Sequence, residues 1–150
     1  MTKTKSAWQG VALLCLWGAR AASAAPTPEG KWITVDDVSG KAKSIVSIQI
    51  ENGELHAVID SLLADPGRPA NPVCKECPGE FQNRPLLGLR FLWGLTKDGE
   101  KWDGGKVLDP DNGKIYRCSV RLDEDGRHLT IRGYIGISLL GRSQTWERLD

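Results

Sequence analysis

The chain has 150 residues, and its 20 Lys and Arg nearly balance its 19 Asp and Glu, which gives a formal net charge of +1. This length suits one ordinary domain, and a content of 40% hydrophobic and 26% charged residues is typical of a globular chain. The charge balance excludes a generally basic nucleic-acid-binding protein, so we expect no nucleic-acid partner.

The first residues of the chain have the pattern of an export signal. Two Lys precede a mostly apolar run, Ala7–Ala19, which is too short to span a bilayer as a helix, and a stretch of small residues follows. We expect residues 1–24 to be removed by cleavage near Ala24, leaving 25–150 as one periplasmic or secreted domain. No later apolar stretch is long enough to span a membrane, so we expect no stable membrane insertion.

Alternation of apolar and polar residues predicts eight β-strands in the mature chain. Their expected positions are Lys31–Asp36, Lys43–Glu51, Glu54–Ser61, Leu89–Leu95, Lys101–Leu108, Ile115–Leu122, His128–Ile135 and Arg142–Leu149. Gly-containing turns separate most of the strands, and Asn52-Gly53 is a strong hairpin signal because both residues tolerate positive φ. Eight sequential antiparallel strands close naturally into an up-and-down barrel, because closure removes the unpaired sheet edges.

One connection is much longer than the others. Residues 62–87 are rich in Pro and Gly and contain Cys74 and Cys77. A structureless insert of this length in a compact domain usually has a function or is held by local cross-links. The sequence therefore predicts an all-β, eight-stranded antiparallel barrel with a long insert that carries a Cys-x-x-Cys motif.

Short motifs along the mature chain resemble those of a known family. They are Gly30-Lys31-Trp32, Ser44-Ile45-Val46, Asn71-Pro72-Val73-Cys74-Lys75-Glu76-Cys77, Pro85-Leu86-Leu87-Gly88-Leu89, Trp93-Gly94-Leu95, Trp102-Asp103-Gly104-Gly105, Leu108-Asp109-Pro110, Gly113-Lys114-Ile115-Tyr116, Leu129-Thr130-Ile131-Arg132-Gly133-Tyr134 and Gly141-Arg142-Ser143-Gln144-Thr145-Trp146. Together they resemble an exported bacterial family catalogued as domain of unknown function number 2147. The resemblance covers nearly all of the mature chain. It implies a lipocalin-like barrel, and it supplies no established activity and no catalytic residue.

The first strand is also similar to that of the wider calycin group. Gly30-x-Trp32 opens this strand, as in lipocalins, where a Trp at the barrel floor packs under a basic residue of the last strand. Arg148 is the candidate partner in this chain. A guanidinium stacked on an indole forms a cation–π pair, so we expect Trp32 and Arg148 to have a structural role at one end of the barrel.

The mature chain has three cysteines, Cys74, Cys77 and Cys118, so at least one has no partner within the chain. An exported location favours disulfides. The flanking Pro72 and Pro78 and the lack of a following helical pattern favour a structural disulfide over a redox-active dithiol. Cys118 is expected on the apolar face of its strand, either as a buried free thiol or paired with Cys74 or Cys77.

Other chemical sites have weaker signals. Cys74, Cys77, Cys118 and His56 would make a Cys3His zinc set, but only the Cys-x-x-Cys half has the spacing of a structural zinc site. The chain has no Gly-x-Ser-x-Gly motif, and we interpret the pair Asp36-Asp37 as a solvated strand end. We therefore predict no catalytic residue, no bound metal and no cofactor.

The last two strands suggest a ligand site. The candidate ligand-binding residues are Arg142, Gln144 and Trp146 on the final strand, Arg132 and Tyr134 on the strand before it, and Trp93. If Trp146 faces the interior, its neighbours on the same face would line a cavity with apolar walls and polar groups able to hold a carboxylate or another polar head group. The alternative is a solid core around Trp146 with the Arg side chains at the rim.

These patterns predict an exported protein that binds a small, partly apolar ligand in its barrel, with an anionic head group as one option. This step from barrel to carrier is an analogy of fold. One alternative is a structural or interaction protein that contacts a protein partner through residues 62–87. The other is a redox or metal-dependent activity at Cys74 and Cys77.

Overall fold

Eight antiparallel strands form one closed barrel in the computed structural model, which describes residues 25–63, 66–137 and 139–149. The strands are β1 Gly30–Val35, β2 Ala42–Glu51, β3 Glu54–Leu62, β4 Arg90–Asp98, β5 Lys101–Asp109, β6 Lys114–Leu122, β7 His128–Tyr134 and β8 Gly141–Arg148. Each pairs with its neighbours in sequence, and β1 pairs with β8. The predicted all-β class, strand number and up-and-down order are confirmed. The predicted signal peptide, residues 1–24, lies outside the described residues.

The strands form where apolar and polar residues alternate, because one face of each strand lines the barrel interior. In β2, Ser44, Val46 and Ile48 are buried and their neighbours are more exposed. The β2–β3 hairpin turns at Asn52-Gly53, whose φ angles are 52° and 81°. The pattern of buried residues and this turn together determine the register between the two strands.

The two ends of the barrel differ. At the closed end, short hairpins join β2 to β3, β4 to β5 and β6 to β7. Large buried side chains fill the interior here, among them Trp32, Ile48, Leu55, Leu95 and Leu129. At the other end, the mouth, the β1–β2, β3–β4, β5–β6 and β7–β8 connections meet. The half of the barrel next to the closed end, the lower half, is therefore a solid core. Any internal site must lie in the upper half, next to the mouth.

Trp32 and Arg148 meet at the closed end. The guanidinium of Arg148 lies 4.3 Å from the centre of the Trp32 ring, and Trp32 is fully buried. The same guanidinium donates hydrogen bonds to the backbone carbonyls of Thr27, Glu29 and Gly126. Arg148 thus ties the segment before β1 and the β6–β7 turn to the barrel, and its contribution to stability remains a prediction.

The insert between β3 and β4 folds back on the barrel. Cys74 and Cys77 form a disulfide with their Cα atoms 5.4 Å apart, and both residues are buried. A short 3₁₀ helix, Gly79–Phe81, brings the ring of Phe81 to 5.4 Å from that of Trp93. In the described residues no helix is long and apolar enough to cross a membrane. The described part of the insert, residues 66–89, is therefore folded against the barrel wall and is not a structureless loop.

Cys118 is a free thiol that is fully buried in β6. It lies between Gly105 of β5 and Gly133 of β7 in the sheet register. Burial raises the pKa of the Cys118 thiol to about 12, so the group stays protonated and a poor nucleophile near neutral pH. Of the pairings that the sequence left open, the structure contains the Cys74–Cys77 disulfide and a free Cys118.

Candidate ligand-binding site

The upper half of the barrel encloses a cavity of about 900 Å³ that opens at the mouth. Its walls are mainly apolar and include Ile59, Phe91, Val107, Ile131 and Trp146. The rings of Phe91 and Trp146 have centroids 6.0 Å apart, and both residues also belong to the buried core. The volume falls in the range of small-molecule sites, and an eight-stranded barrel is just wide enough to hold one small ligand.

A chain of polar contacts runs from Trp146 to the β1–β2 loop. Trp146 Nε1 donates a hydrogen bond to Gln144 Oε1 at 3.0 Å, and Gln144 Nε2 donates to Asp37 Oδ1 at 2.7 Å. The guanidinium of Arg142 lies 2.7 Å from the other oxygen of Asp37 and 3.8 Å from the Asp109 carboxylate. The three predicted residues of β8 all line the cavity, and Asp37 joins them.

Asp37 contacts β8 at the point where the backbones of β1 and β8 separate. Backbone pairing joins these strands only at Trp32 with Arg148 and at Ile33 with Glu147, near the closed end. By contrast, β7 and β8 pair along the whole of β7. Toward the mouth, where the backbones of β1 and β8 are not paired, the Asp37 carboxylate contacts Gln144 and Arg142 of β8 instead. This part of the barrel wall is therefore held together by side chains.

Charged groups around the cavity nearly balance each other. The acidic residues are Asp36, Asp37, Asp109 and Asp111, and the basic residues are Lys43, Arg68 and Arg142. Lys43 and Arg68 both form ion pairs with Asp111. Asp36 accepts hydrogen bonds from the backbone N–H and the hydroxyl of Ser39, and these bonds lower the pKa of Asp36. Each of the three basic residues thus already has a carboxylate partner.

Arg132 lies outside the cavity, unlike the sequence-based expectation. Leu129 and Ile131 occupy the inward face of β7, so alternation turns Arg132 to the outer face of the barrel. Its guanidinium donates hydrogen bonds to Ser143 Oγ at 3.0 Å and to the backbone carbonyl of Leu139 at 3.3 Å. The expectation placed Arg132 on the inward face together with Tyr134, whereas the buried Leu129 and Ile131 show that the opposite face of β7 is inside.

Tyr134 lines the cavity, whereas Trp93 lies outside it. Tyr134 contributes to the cavity wall, but its hydroxyl donates to Asp103 at 3.3 Å, and Arg117 lies 5.7 Å from the centre of its ring. Trp93 is stacked on Phe81 of the insert and lines a separate depression on the outside of the barrel. Neither side chain therefore contributes a polar group to the cavity.

Sequence reasoning missed several residues of the cavity. The sequence alone indicates a solvated strand end at Asp37, because its contact with Arg142 forms only when β1 closes on β8. Thr34 and Ser44, whose hydroxyl oxygens are 2.7 Å apart, also line the cavity. Tyr116 lines the cavity too. Because residues two apart on a strand share a face, its position two residues before Cys118, which was expected on the apolar face, indicates that it faces the interior.

The alternative chemical sites are not assembled. Cys118 lies in the barrel wall, Cys74 and Cys77 are joined in a disulfide, and His56 Nε2 lies 3.2 Å from Gln49 Oε1. The Cys3His set that the sequence offered as a weak alternative is therefore not brought together. The buried disulfide also lacks the accessible sulfur that redox chemistry requires.

One group of possible metal ligands lies elsewhere in the described residues. Asp123, Asp125 and His128 place their ligand atoms within 4.8 Å of one another in the exposed β6–β7 turn. Asp125 and His128 are already bonded to each other at 2.9 Å. Exposed acidic groups of this kind are common without a metal, so we assign no ion to the turn.

Comparison with known proteins gives the family and supports the fold. Residues 30–148 match the sequence model of the family described as "Uncharacterized protein conserved in bacteria (DUF2147)". No curated protein matches the chain. A solved structure that it resembles is protein HP1028 from the human pathogen Helicobacter pylori, which is described as belonging to the lipocalin family. The two are 26% identical with a TM-score of 0.67, over 81% of this chain and 82% of that one. The chain therefore belongs to the DUF2147 family of bacterial proteins, and its fold is a lipocalin-like barrel.

Proposed function

We propose that this protein acts by binding one small, predominantly apolar molecule in the barrel cavity. The observation that carries the proposal is the cavity of about 900 Å³ between apolar walls behind an open mouth. Apolar walls remove the ligand from water, which is the main source of affinity in sites of this kind. The lipocalin-like fold and the similarity to a protein described as a lipocalin support the same function.

We further propose that the polar end of the ligand is uncharged. Arg142 is the predicted basic residue that lines the cavity, but its guanidinium lies 2.7 Å from the Asp37 carboxylate. An anionic ligand would have to displace Asp37 and would also approach Asp109, which lies 3.8 Å from Arg142. A hydroxyl or amide group needs no such exchange of charge. The hydroxyls of Thr34 and Ser44 and the amide of Gln144 bond to neighbours but keep spare hydrogen-bonding capacity at the cavity.

Export to the periplasm or out of the cell is also part of the proposal. The leader pattern in residues 1–24 supports it, and the Cys74–Cys77 disulfide fits an oxidising compartment. The mass of the protein recovered outside the cytoplasm tests the predicted cleavage near Ala24.

A cavity-filling substitution tests the binding site. Val107 lines the cavity and is only half-buried. The larger side chain in Val107→Phe therefore occupies part of the cavity without entering the solid core. We expect the affinity for phenylnaphthylamine, a neutral apolar fluorophore, to fall by about tenfold, or ~1.4 kcal/mol. Ile115→Phe on β6, which does not line the cavity, is the matched control and should bind like the wild type. Equal affinity for the two variants in a fluorescence titration would contradict the proposal.

The charge of the head group is tested at Asp37. We expect the wild type to bind dodecanol more tightly than dodecanoate, because Asp37 occupies the guanidinium of Arg142. Asp37→Asn removes this charge and should raise the affinity for dodecanoate by about tenfold. Dodecanol should be much less affected. Displacement of the fluorophore measures both affinities, and a wild type that prefers dodecanoate would support an anionic ligand instead.

A further inference from the structure

The most exposed large apolar side chains of the described residues all lie around the mouth. Val38 in the β1–β2 loop is 97% exposed, and Ile135, Ile137, Leu139 and Leu140 in the β7–β8 connection are 60–83% exposed. The other exposed large apolar residues reach at most 44%. We name these five side chains the apolar rim. Single exposed apolar residues are ordinary, but a group of them marks an interaction surface.

Local hydrogen bonds shape the loops that carry the apolar rim. Asp36 Oδ1 accepts a hydrogen bond from the backbone N–H of Val38 at 3.1 Å, which turns the β1–β2 loop back on itself. In the β7–β8 connection, the N–H of Leu140 donates to the carbonyl of Ile137 at 3.1 Å. The backbone of both loops is thus engaged in turns while the apolar side chains stay in solvent.

The apolar rim is continuous with the cavity. Val38, Ile135, Leu139 and Leu140 line the cavity opening as well as the outer surface. A partner that covers the rim would therefore also cover the mouth of the barrel.

We propose that the apolar rim docks on the surface of a lipid bilayer, with the barrel mouth facing the membrane. The rim consists only of Val, Ile and Leu, whereas protein interfaces gain most of their affinity from Trp, Tyr and Arg. Aliphatic side chains at loop tips fit the boundary between lipid head groups and acyl chains, where peripheral proteins bury apolar groups.

The charges beside the rim fit this partner. Asp36 and Asp37 precede Val38 directly, and a free carboxylate would oppose insertion into lipid because burying a charge is costly. The Asp36 carboxylate is bonded within its own loop, and that of Asp37 is paired with Arg142 at 2.7 Å. Docking does not depend on the proposed function, because it needs the apolar rim and no ligand in the cavity.

Sedimentation with phosphatidylcholine vesicles tests the docking without any ligand. The chain starting at Ala25 is used, because all eight strands of the barrel lie within it. We expect the protein to sediment with the vesicles and Val38→Ser/Ile137→Ser/Leu139→Ser to lose about tenfold or more of its partition coefficient. Leu149→Ser, whose side chain is exposed at the closed end, is the control and should partition like the unsubstituted chain. Urea unfolding of both variants checks that they are folded.

Three outcomes would overturn the proposal. The first is an unsubstituted chain that stays in the supernatant, and the second is a triple variant that sediments equally well. The third is a concentration-dependent dimer that forms without vesicles and disappears in the triple variant, which would show that a second copy covers the rim. Phenylnaphthylamine binding in vesicle-free solution reports on the cavity separately, so failure of docking and failure of ligand binding are distinguishable.

Discussion

Two arginines of β8 show how one residue type serves different purposes at the two ends of the barrel. Arg148 stacks on the buried Trp32 and satisfies three backbone carbonyls. Arg142, at the mouth, is largely exposed and pairs with Asp37. The partner of Arg148 was predictable because the Gly30-x-Trp32 motif resembles the first strand of lipocalins, where a Trp packs under a basic residue of the last strand. The partner of Arg142 was not, because no local pattern links it to a residue far away in the sequence.

The Trp32–Arg148 contact gives a prediction about stability. Arg148→Ala removes the cation–π contact and three charged hydrogen bonds, so we expect the free energy of unfolding to fall by about 2 kcal/mol. Arg121→Ala is the matched control, since Arg121 is exposed and forms a surface ion pair with Glu100. Its cost should stay within about 0.5 kcal/mol. Urea unfolding measures both, and equal costs would mean that Arg148 is not a structural residue.

At the scale of elements, the strands were predictable and the insert was not. The alternating patterns predict all eight strands because each strand has one buried face, and the observed boundaries differ by at most one residue except at the end of β4, which extends three residues further, to Asp98. The insert has no such periodicity. Its fold depends on contacts with other elements. Phe81 stacks on Trp93, and the disulfide loop packs against the β5–β6 turn. Only the Cys-x-x-Cys motif indicated that it was held in place.

The contact between the insert and the β5–β6 turn gives a prediction at Gly113. This residue has a φ of +70°, and a Cβ atom there would overlap the carbonyl of Glu76 in the disulfide loop. Gly99 is the matched control, since its φ is +60° and its surroundings are open. We expect Gly99→Ala to cost about 1 kcal/mol from backbone strain alone. Gly113→Ala should cost about 1–3 kcal/mol more.

The comparison separates packing from backbone strain because both positions have positive φ. Urea midpoints of the two variants provide the measurement. If Gly113→Ala destabilises no more than Gly99→Ala, then the insert does not pack on this turn in solution, and its role as a fixed cover of the barrel wall would be wrong.

The whole molecule combines a solid half with a hollow half. Large apolar side chains fill the barrel at the closed end, while the cavity, the paired charges and the apolar rim all lie at the mouth. The sequence predicts a closed barrel and four of the residues that line the cavity, Tyr134, Arg142, Gln144 and Trp146. It does not tell a hollow barrel from a filled one, because that depends on how the side chains of all eight strands meet in space.

Native mass spectrometry of the purified protein, prepared without added ligand, tests the central claim most directly. We predict a reproducible extra mass that leaves on denaturation, is retained in Ile115→Phe and is reduced in Val107→Phe, because only the second variant places a larger side chain in the cavity. A bare polypeptide mass for the wild type that also fails to shift after addition of phenylnaphthylamine would contradict the claim that the barrel binds a small apolar molecule.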